Sequence, residues 1–218
     1  MRSSADADGL YRLRPGLLRG VPLAVLLILA FAVGLVSLRY LSGDPAALPP
    51  SMQASFVANG WIFVAHTTAS ALALMVGAVQ FSALPRRCWP GVHRWAGRSY
   101  VLFCAMGAAS ALWIAPDVES GWVATLGFSA LAVAWMAVTA QGWRHAVNLR
   151  FDLHRRWMLR SYALTAAAIS LRLQLLVFEA FGLDYNQVSA LLSLSCWLPN
   201  VAAVEAALYL ARRRRATA

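Results

Sequence analysis

Two short stretches of this chain hold the residues best placed to do chemistry. His93-Arg94-Trp95-Ala96-Gly97-Arg98-Ser99-Tyr100 is echoed by His154-Arg155-Arg156-Trp157-Met158-Leu159-Arg160-Ser161-Tyr162. Each copy sits where an arginine-rich stretch gives way to a long apolar run. Histidine is a common axial ligand of haem iron, and two imidazoles at equal depth on two membrane helices could hold one iron between them. That reading makes His93 and His154 the ligands of a b-type haem, with Arg94, Arg98, Arg155 and Arg160 pairing with its propionates. Gly97 and Gly107 would leave room for the macrocycle. The same residues also fit an interfacial anchor, with arginines at the headgroups and tryptophan in the aromatic belt. From the boxes alone both readings stay open.

A second group of polar residues interrupts the apolar runs: His66, Gln80, Arg172, Asn200 and Glu205. These are the candidates to line a ligand cavity, with Arg172, Asn200 and His66 toward the outer face and Glu205 deeper toward the cytoplasm. Arg172 lies about 18 Å along a helix from Arg160 at 1.5 Å per residue, near mid-membrane. There an arginine costs at least about 2.5–3.5 kcal/mol, so it must meet a polar partner or a cavity. Asn200 is the first candidate partner and Glu179 the second. His66 reads either as a hydrogen-bonded packing residue or as a ligand contact, and His145 reads as solvated among cytoplasmic arginines. Cys88, Cys104 and Cys196 form no CxxC or zinc pattern and no disulfide framework. No catalytic residue stands out.

The elements that must position these residues are helices. Six apolar runs, about Val21–Leu41, Phe56–Leu84, Trp95–Ala115, Trp122–Trp143, Arg160–Phe181 and Val188–Leu210, are each long enough to cross a bilayer. The expected fold is all-α, a six-transmembrane-helix bundle. Small and polar residues recur at helical spacing on the second, third, fifth and sixth runs, which marks these as the core. His66, Ser70, Ala73, Gly77 and Gln80 form one such stripe. The fourth run completes the core, and the first reads as more peripheral. Each box follows a helix and a basic loop and opens the next helix, so 61–115 and 122–181 form a parallel repeat of two helical hairpins. In an up-and-down bundle this puts the third and fifth helices diagonally across the core.

Alternate loops fall on alternate sides. Every arginine except Arg39 and Arg172 lies in the N-terminal segment, the 85–98 loop, the 144–160 loop or the C-terminus. Asp44, Asp117, Glu119 and Asp184 lie in the opposite loops. The positive-inside rule therefore predicts both termini in the cytoplasm. The segments are a cytoplasmic tail (1–18), a first helix with its outer loop (19–55), a five-helix membrane domain (56–212) and a basic tail (213–218). The first run exceeds a signal-peptide core and lacks a clear cleavage site, so it reads as a retained helix.

Composition agrees. Of 218 residues, 60% are hydrophobic, against 45–50% in soluble domains, and the mean hydropathy is +0.60. The net charge of +10 comes without a single lysine. Its arginines flank apolar runs instead of forming a basic patch with exposed aromatics, which argues against nucleic acid and for a lipid bilayer as partner.

The stretch from His66 to Glu205 resembles a family of bacterial predicted membrane proteins classed as a domain of unknown function. The likeness rests on His66 with the small-residue helix to Gln80-Phe81, on both boxes, and on Arg172, Trp197, Pro199-Asn200 and Glu205. It implies a multi-pass protein of the bacterial inner membrane and no particular activity. More distantly, His-Arg-Trp-x-Gly-Arg is similar to the helix entry of ferric reductase and NADPH oxidase membrane domains. There, histidines on the third and fifth of six helices ligate two stacked haems. The places of the second histidine on each helix fall near Gly107 and Ala167 here, so that likeness implies at most the cytoplasmic-side haem. It also implies a separate electron donor or a quinol. The rival expectation is a cofactor-free membrane carrier, ligand- or lipid-binding protein or assembly factor.

Overall fold

Inside a bilayer an apolar segment must satisfy its own backbone polar groups, and coiling into a helix does so. The computed structural model describes residues 17–48, 50–117 and 121–216, which are helical with no strand. The N-terminal tail through residue 16, Glu119 and Thr217 lie outside the described residues. The helices are α1 (Leu17–Leu38), α2 (Pro50–Asn59), α3 (Trp61–Gln80), α4 (Ala83–Cys88), α5 (Pro90–Ile114), α6 (Trp122–Val147), α7 (Phe151–Thr165), α8 (Ala167–Ala180), α9 (Tyr185–Ser195) and α10 (Leu198–Ala216). Six segments are long and apolar enough to cross a membrane: Pro22–Ser42, α3, α5, α6, Phe151–Ala180 across α7 and α8, and Tyr185–Arg214 across α9 and α10. Among the described residues the fold is the expected all-α bundle with six candidate spans.

Several helices begin earlier than the apolar runs suggest. Pro90 starts α5, where a missing N–H costs nothing, and α7 starts at Phe151. Both boxes therefore lie in the opening turns of helices and not in loops. The α6–α7 connection is a tight turn in which Leu149 takes φ +57 and Arg150 N donates to His145 O at 2.9 Å. Asp184 and Gln187 form a capping box that starts α9 at Tyr185.

α3 is the central helix and packs most extensively on α5, while α6 pairs with α7, and α5 joins the two hairpins through α6. α1 lies against α3 and α9 against α6. Close approach comes from small residues. A Cβ on Gly77 would fall 2.6 Å from Tyr100 Cε2 and 2.8 Å from Tyr162 Cδ2, so the tyrosines of both boxes converge on one glycine of α3. Two expected ranks are corrected. The sixth span joins the core mainly through its α9 side, with Ser189, Leu192, Ser193 and Cys196 buried and Trp197 and Val201 packed against the core, while the rest of α10 is largely exposed. The first span, expected to be peripheral, buries Ala30 and Ser37.

Large apolar side chains such as Ile28, Leu102, Leu126 and Leu176 face outward, a surface that water would not tolerate over such an area. Exposed tryptophans mark its two edges: Trp89, Trp95 and Trp143 at the box end, Trp61, Trp113 and Trp122 at the far end.

The fifth and sixth spans are each broken. The fifth breaks at Ala166 and the sixth at Cys196-Trp197. Asn200 serves both breaks, because its Nδ2 donates to Ala163 O at 3.2 Å and to Cys196 O at 3.1 Å. Its Oδ1 accepts from Ser170 Oγ at 3.0 Å. Pro199 has no N–H to give Ser195 O, and Gln174 Nε2 donates to that carbonyl instead, at 3.1 Å. Ser195 Oγ returns a bond to Gln174 Oε1 at 2.6 Å.

Candidate functional site

All six spans contribute to one cavity of about 270 Å³, in the half of the bundle away from the boxes. Its wall is mostly apolar: Phe63, Leu74, Phe128, Leu131, Trp135 and Leu164 are representative. Set into that wall are Ser37, Tyr40, His66, Ser70, Thr165 and Arg172. Among the described residues no aspartate or glutamate lines it.

Arg172 is placed by α8 and held from α1. Its Nη2 donates to Ser37 Oγ at 2.8 Å, and Nη1 donates to Ala168 O at 3.0 Å. Ser37 Oγ itself donates to Val33 O at 2.8 Å. The expected partners are therefore corrected: Asn200 is engaged at the helix breaks, and Glu179 is exposed. Arg172 on α8 meets α1 instead of α10. His66 reaches from α3 to α5, where Nδ1 meets Gly107 O at 2.9 Å. A carbonyl only accepts, so this bond puts the proton on Nδ1. Nε2 has no protein partner among the described residues. Ser70 Oγ is buried with no partner either.

The wall residues Trp135 and Thr165 also belong to a buried hydrogen-bond network beneath the cavity. Trp135 Nε1 donates to Thr165 Oγ1 at 2.9 Å. The Tyr100 hydroxyl bonds Thr165 Oγ1 and Ser161 Oγ, both at 2.8 Å, and Ser161 Oγ meets Thr139 Oγ1 at 2.7 Å. Tyr162 takes a separate course, its hydroxyl donating to Leu74 O at 3.1 Å. The second half of each box is thus core material that joins α3, α5, α6 and α7.

The histidines lie at the other end. His93 and His154 are each the fourth residue of their helix, and each backbone N donates to the residue just before that helix, Trp89 or Arg150. They come within electrostatic range of each other. Their orientations differ because the second box has one extra arginine. His93 precedes Tyr100 by seven residues, about two helical turns, and so shares its face; His154 precedes Tyr162 by eight and is turned about 80° away. That turn brings His154 Nδ1 to Gly142 O on α6, at 2.8 Å. His93 Nδ1 is buried without a partner.

The arginines of the boxes divide. Arg94 and Arg155 are exposed. Arg98 lies over the Trp95 ring at 4.9 Å and Arg160 over Trp157 at 5.0 Å. Arg160 also makes a two-pronged ion pair with Glu205, the Nη2–Oε2 arm being 2.9 Å. Neither Glu205, Asn200 nor Gln80 lines the cavity: Glu205 pairs at the box end, Asn200 closes the helix breaks, and Gln80 ends α3 with a buried, unpartnered Oε1. Of the five expected cavity residues, His66 and Arg172 are brought together. His145, expected to be solvated, ends α6 partly buried and stacked on Trp157, ring centroids 6.5 Å apart. Ser37, Trp135, Thr139 and Gln174 carry functional contacts that the sequence did not single out. Ser37 had a signal as the lone serine of a long apolar run.

No curated protein and no solved structure matches the chain. Residues 63–208, which run from α3 through most of α10 and hold both boxes, most of the cavity wall and both helix breaks, match the family described as Predicted membrane protein (DUF2306), and this chain, a multi-pass membrane protein, belongs to that family.

Proposed function

We propose that the protein binds a small, largely apolar molecule within the membrane, in the cavity opposite the boxes, as a carrier or ligand-binding protein. One observation carries the reading: hydrogen-bonding groups of Arg172, His66 and Ser70 face an apolar chamber and are left unused by the protein. Apolar walls with a few convergent polar groups are the usual make-up of a small-molecule site. The neutral probe N-phenylnaphthylamine should bind purified protein saturably, and Ala132→Leu, which puts bulk on the cavity wall, should abolish that binding while the protein stays folded. Unsaturable partitioning that is the same in both proteins would overturn the reading.

A second reading is a b-type haem or quinol-linked redox centre at the box end. It is supported by the matched positions of His93 and His154, the unpartnered Nδ1 of His93 and the bond from His154 Nδ1 to Gly142 O, which leaves Nε2 free to ligate. Arg94, Arg98 and Arg155 would then answer the haem carboxylates, since Arg160 is taken by Glu205. A haem there would pass single electrons from a separate donor or a quinol. Protein purified from haem-replete cells should show a Soret band that His93→Ala and His154→Ala each remove, and a colourless preparation excludes it.

The arginine asymmetry supports a bacterial inner-membrane location with both termini cytoplasmic. Reporter fusions at Asp117 and Asp184 should then read outside, and fusions at Cys88 and Asn148 inside.

A further inference from the structure

Arg172 brings a full positive charge into the cavity, yet its two bonds go to a neutral hydroxyl and a carbonyl. They occupy two of the five N–H groups of a guanidinium. Among the described residues the one ion pair is Arg160–Glu205, far from this site. Among the described residues the surroundings bring no negative charge to it. His66 lines the same cavity as a ring protonated on Nδ1 alone, and the charged group in range of Arg172 is another arginine, Arg39. Arg39 stacks at 4.9 Å on the ring of Tyr40, a wall residue, and donates to its hydroxyl at 3.0 Å. A buried charge without a counter-charge is costly, and none of the described residues supplies one.

From this arrangement we propose that the cavity takes an apolar-tailed monocarboxylic acid, its carboxylate on Arg172 and its tail along the apolar wall. This rests on the cavity being a ligand site and names the ligand's class. The acid completes what the protein leaves open. The carboxylate oxygens accept from the free N–H groups of Arg172, a geometry that guanidinium matches well, and from the Ser70 hydroxyl. A neutral quinone would leave the charge unanswered. A membrane lipid keeps its phosphate at the headgroup plane, whereas Arg172 stands about 12 Å inside the Ala180 end of α8. A free acid can leave that plane. The cavity's 270 Å³ is at the small end of ligand sites, which favours a short- or medium-chain acid.

Equilibrium binding of labelled decanoate, decanol, decylamine and decyl phosphate to the full-length protein in nanodiscs tests this, with empty nanodiscs as the partition blank. Decanoate should bind saturably, decanol at least tenfold more weakly, and decylamine not at all. Arg172→Gln should bring decanoate down to the level of decanol. If decanol binds wild type as tightly as decanoate, the assignment of the head group fails while the cavity remains a ligand site. If none of the four binds saturably, the ligand-site reading itself fails. Tighter binding of decyl phosphate than of decanoate would replace the acid by a phosphate-headed ligand. The comparison of head groups on wild-type protein decides the matter even if Arg172→Gln does not fold.

Discussion

Gly77→Ala tests the packing that ties the two boxes together. The new methyl group would stand 2.6 Å from a Tyr100 ring carbon and 2.8 Å from Tyr162. Ordinary contact begins near 3.4 Å, so one ring must retreat by about 0.8 Å and the other by about 0.6 Å. Both rings are tethered. A Tyr100 hydroxyl moved by that amount would stretch its 2.8 Å bonds to Ser161 and Thr165 to about 3.6 Å, beyond hydrogen-bond length. Overpacking costs about 1–3 kcal/mol, and each bond lost adds about 1 kcal/mol. Replacing glycine in a helix returns at most about 1 kcal/mol. The expected net loss is about 2–4 kcal/mol, or a melting point lower by about 5–15 °C for a chain of this size. Gly97→Ala is the control, because a Cβ there meets nothing within 4 Å, and it should be neutral or slightly stabilising. Thermal unfolding of the two variants in one detergent reads the difference. If Gly77→Ala melts with wild type, the convergence of Tyr100 and Tyr162 on α3 is wrong.

Three further expectations concern the broken spans and the charges. Gln174→Leu should cost about 1–3 kcal/mol by leaving Ser195 O without a donor, and Pro199→Ala should recover much of it by restoring a backbone N–H; additive losses in a double-mutant cycle would contradict the exchange of roles. Arg172→Met should melt within about 1 kcal/mol of wild type, since an uncompensated charge is removed, yet should lose decanoate binding; a stability loss of 3 kcal/mol or more would mean that the guanidinium is structural. Glu205→Gln should cost under about 1 kcal/mol, because its side chain is 48% exposed and such pairs are weak; chemical unfolding that shows more than twice this would place the pair in a far drier setting.

The spans, the boxes and the inward stripe of α3 were legible because apolar run length and small-residue spacing are local properties. The sixth span's break also had a sign in Pro199. The break at Ala166 had none: it falls in Thr165-Ala166-Ala167-Ala168, a stretch with no glycine or proline. Asn200 was ranked as the partner of Arg172 by depth alone, and depth does not say which neighbouring helix a side chain meets, so Ser37 on α1 was passed over. Glu205 was misjudged differently. Its place away from the outer face was legible from its own helix, but only the packing of α10 on α7 reveals Arg160 opposite. Trp135 and Thr139 escaped notice because the fourth run is almost uniformly apolar, so no stripe marked its inner face.

The shared amide of Asn200 makes the two helix breaks heritable as one character. A lineage could not straighten the sixth span alone, since removing the asparagine would also strip the carbonyl of Ala163 of its donor. Gln174 and Pro199 are bound in the same way: a descendant that lost the proline would no longer need the glutamine, while one that lost only the glutamine would carry a defect. Substitutions at positions 170, 174, 195, 199 and 200 should therefore travel together through the history of this chain, leaving a correlated trace at sites far apart in the sequence.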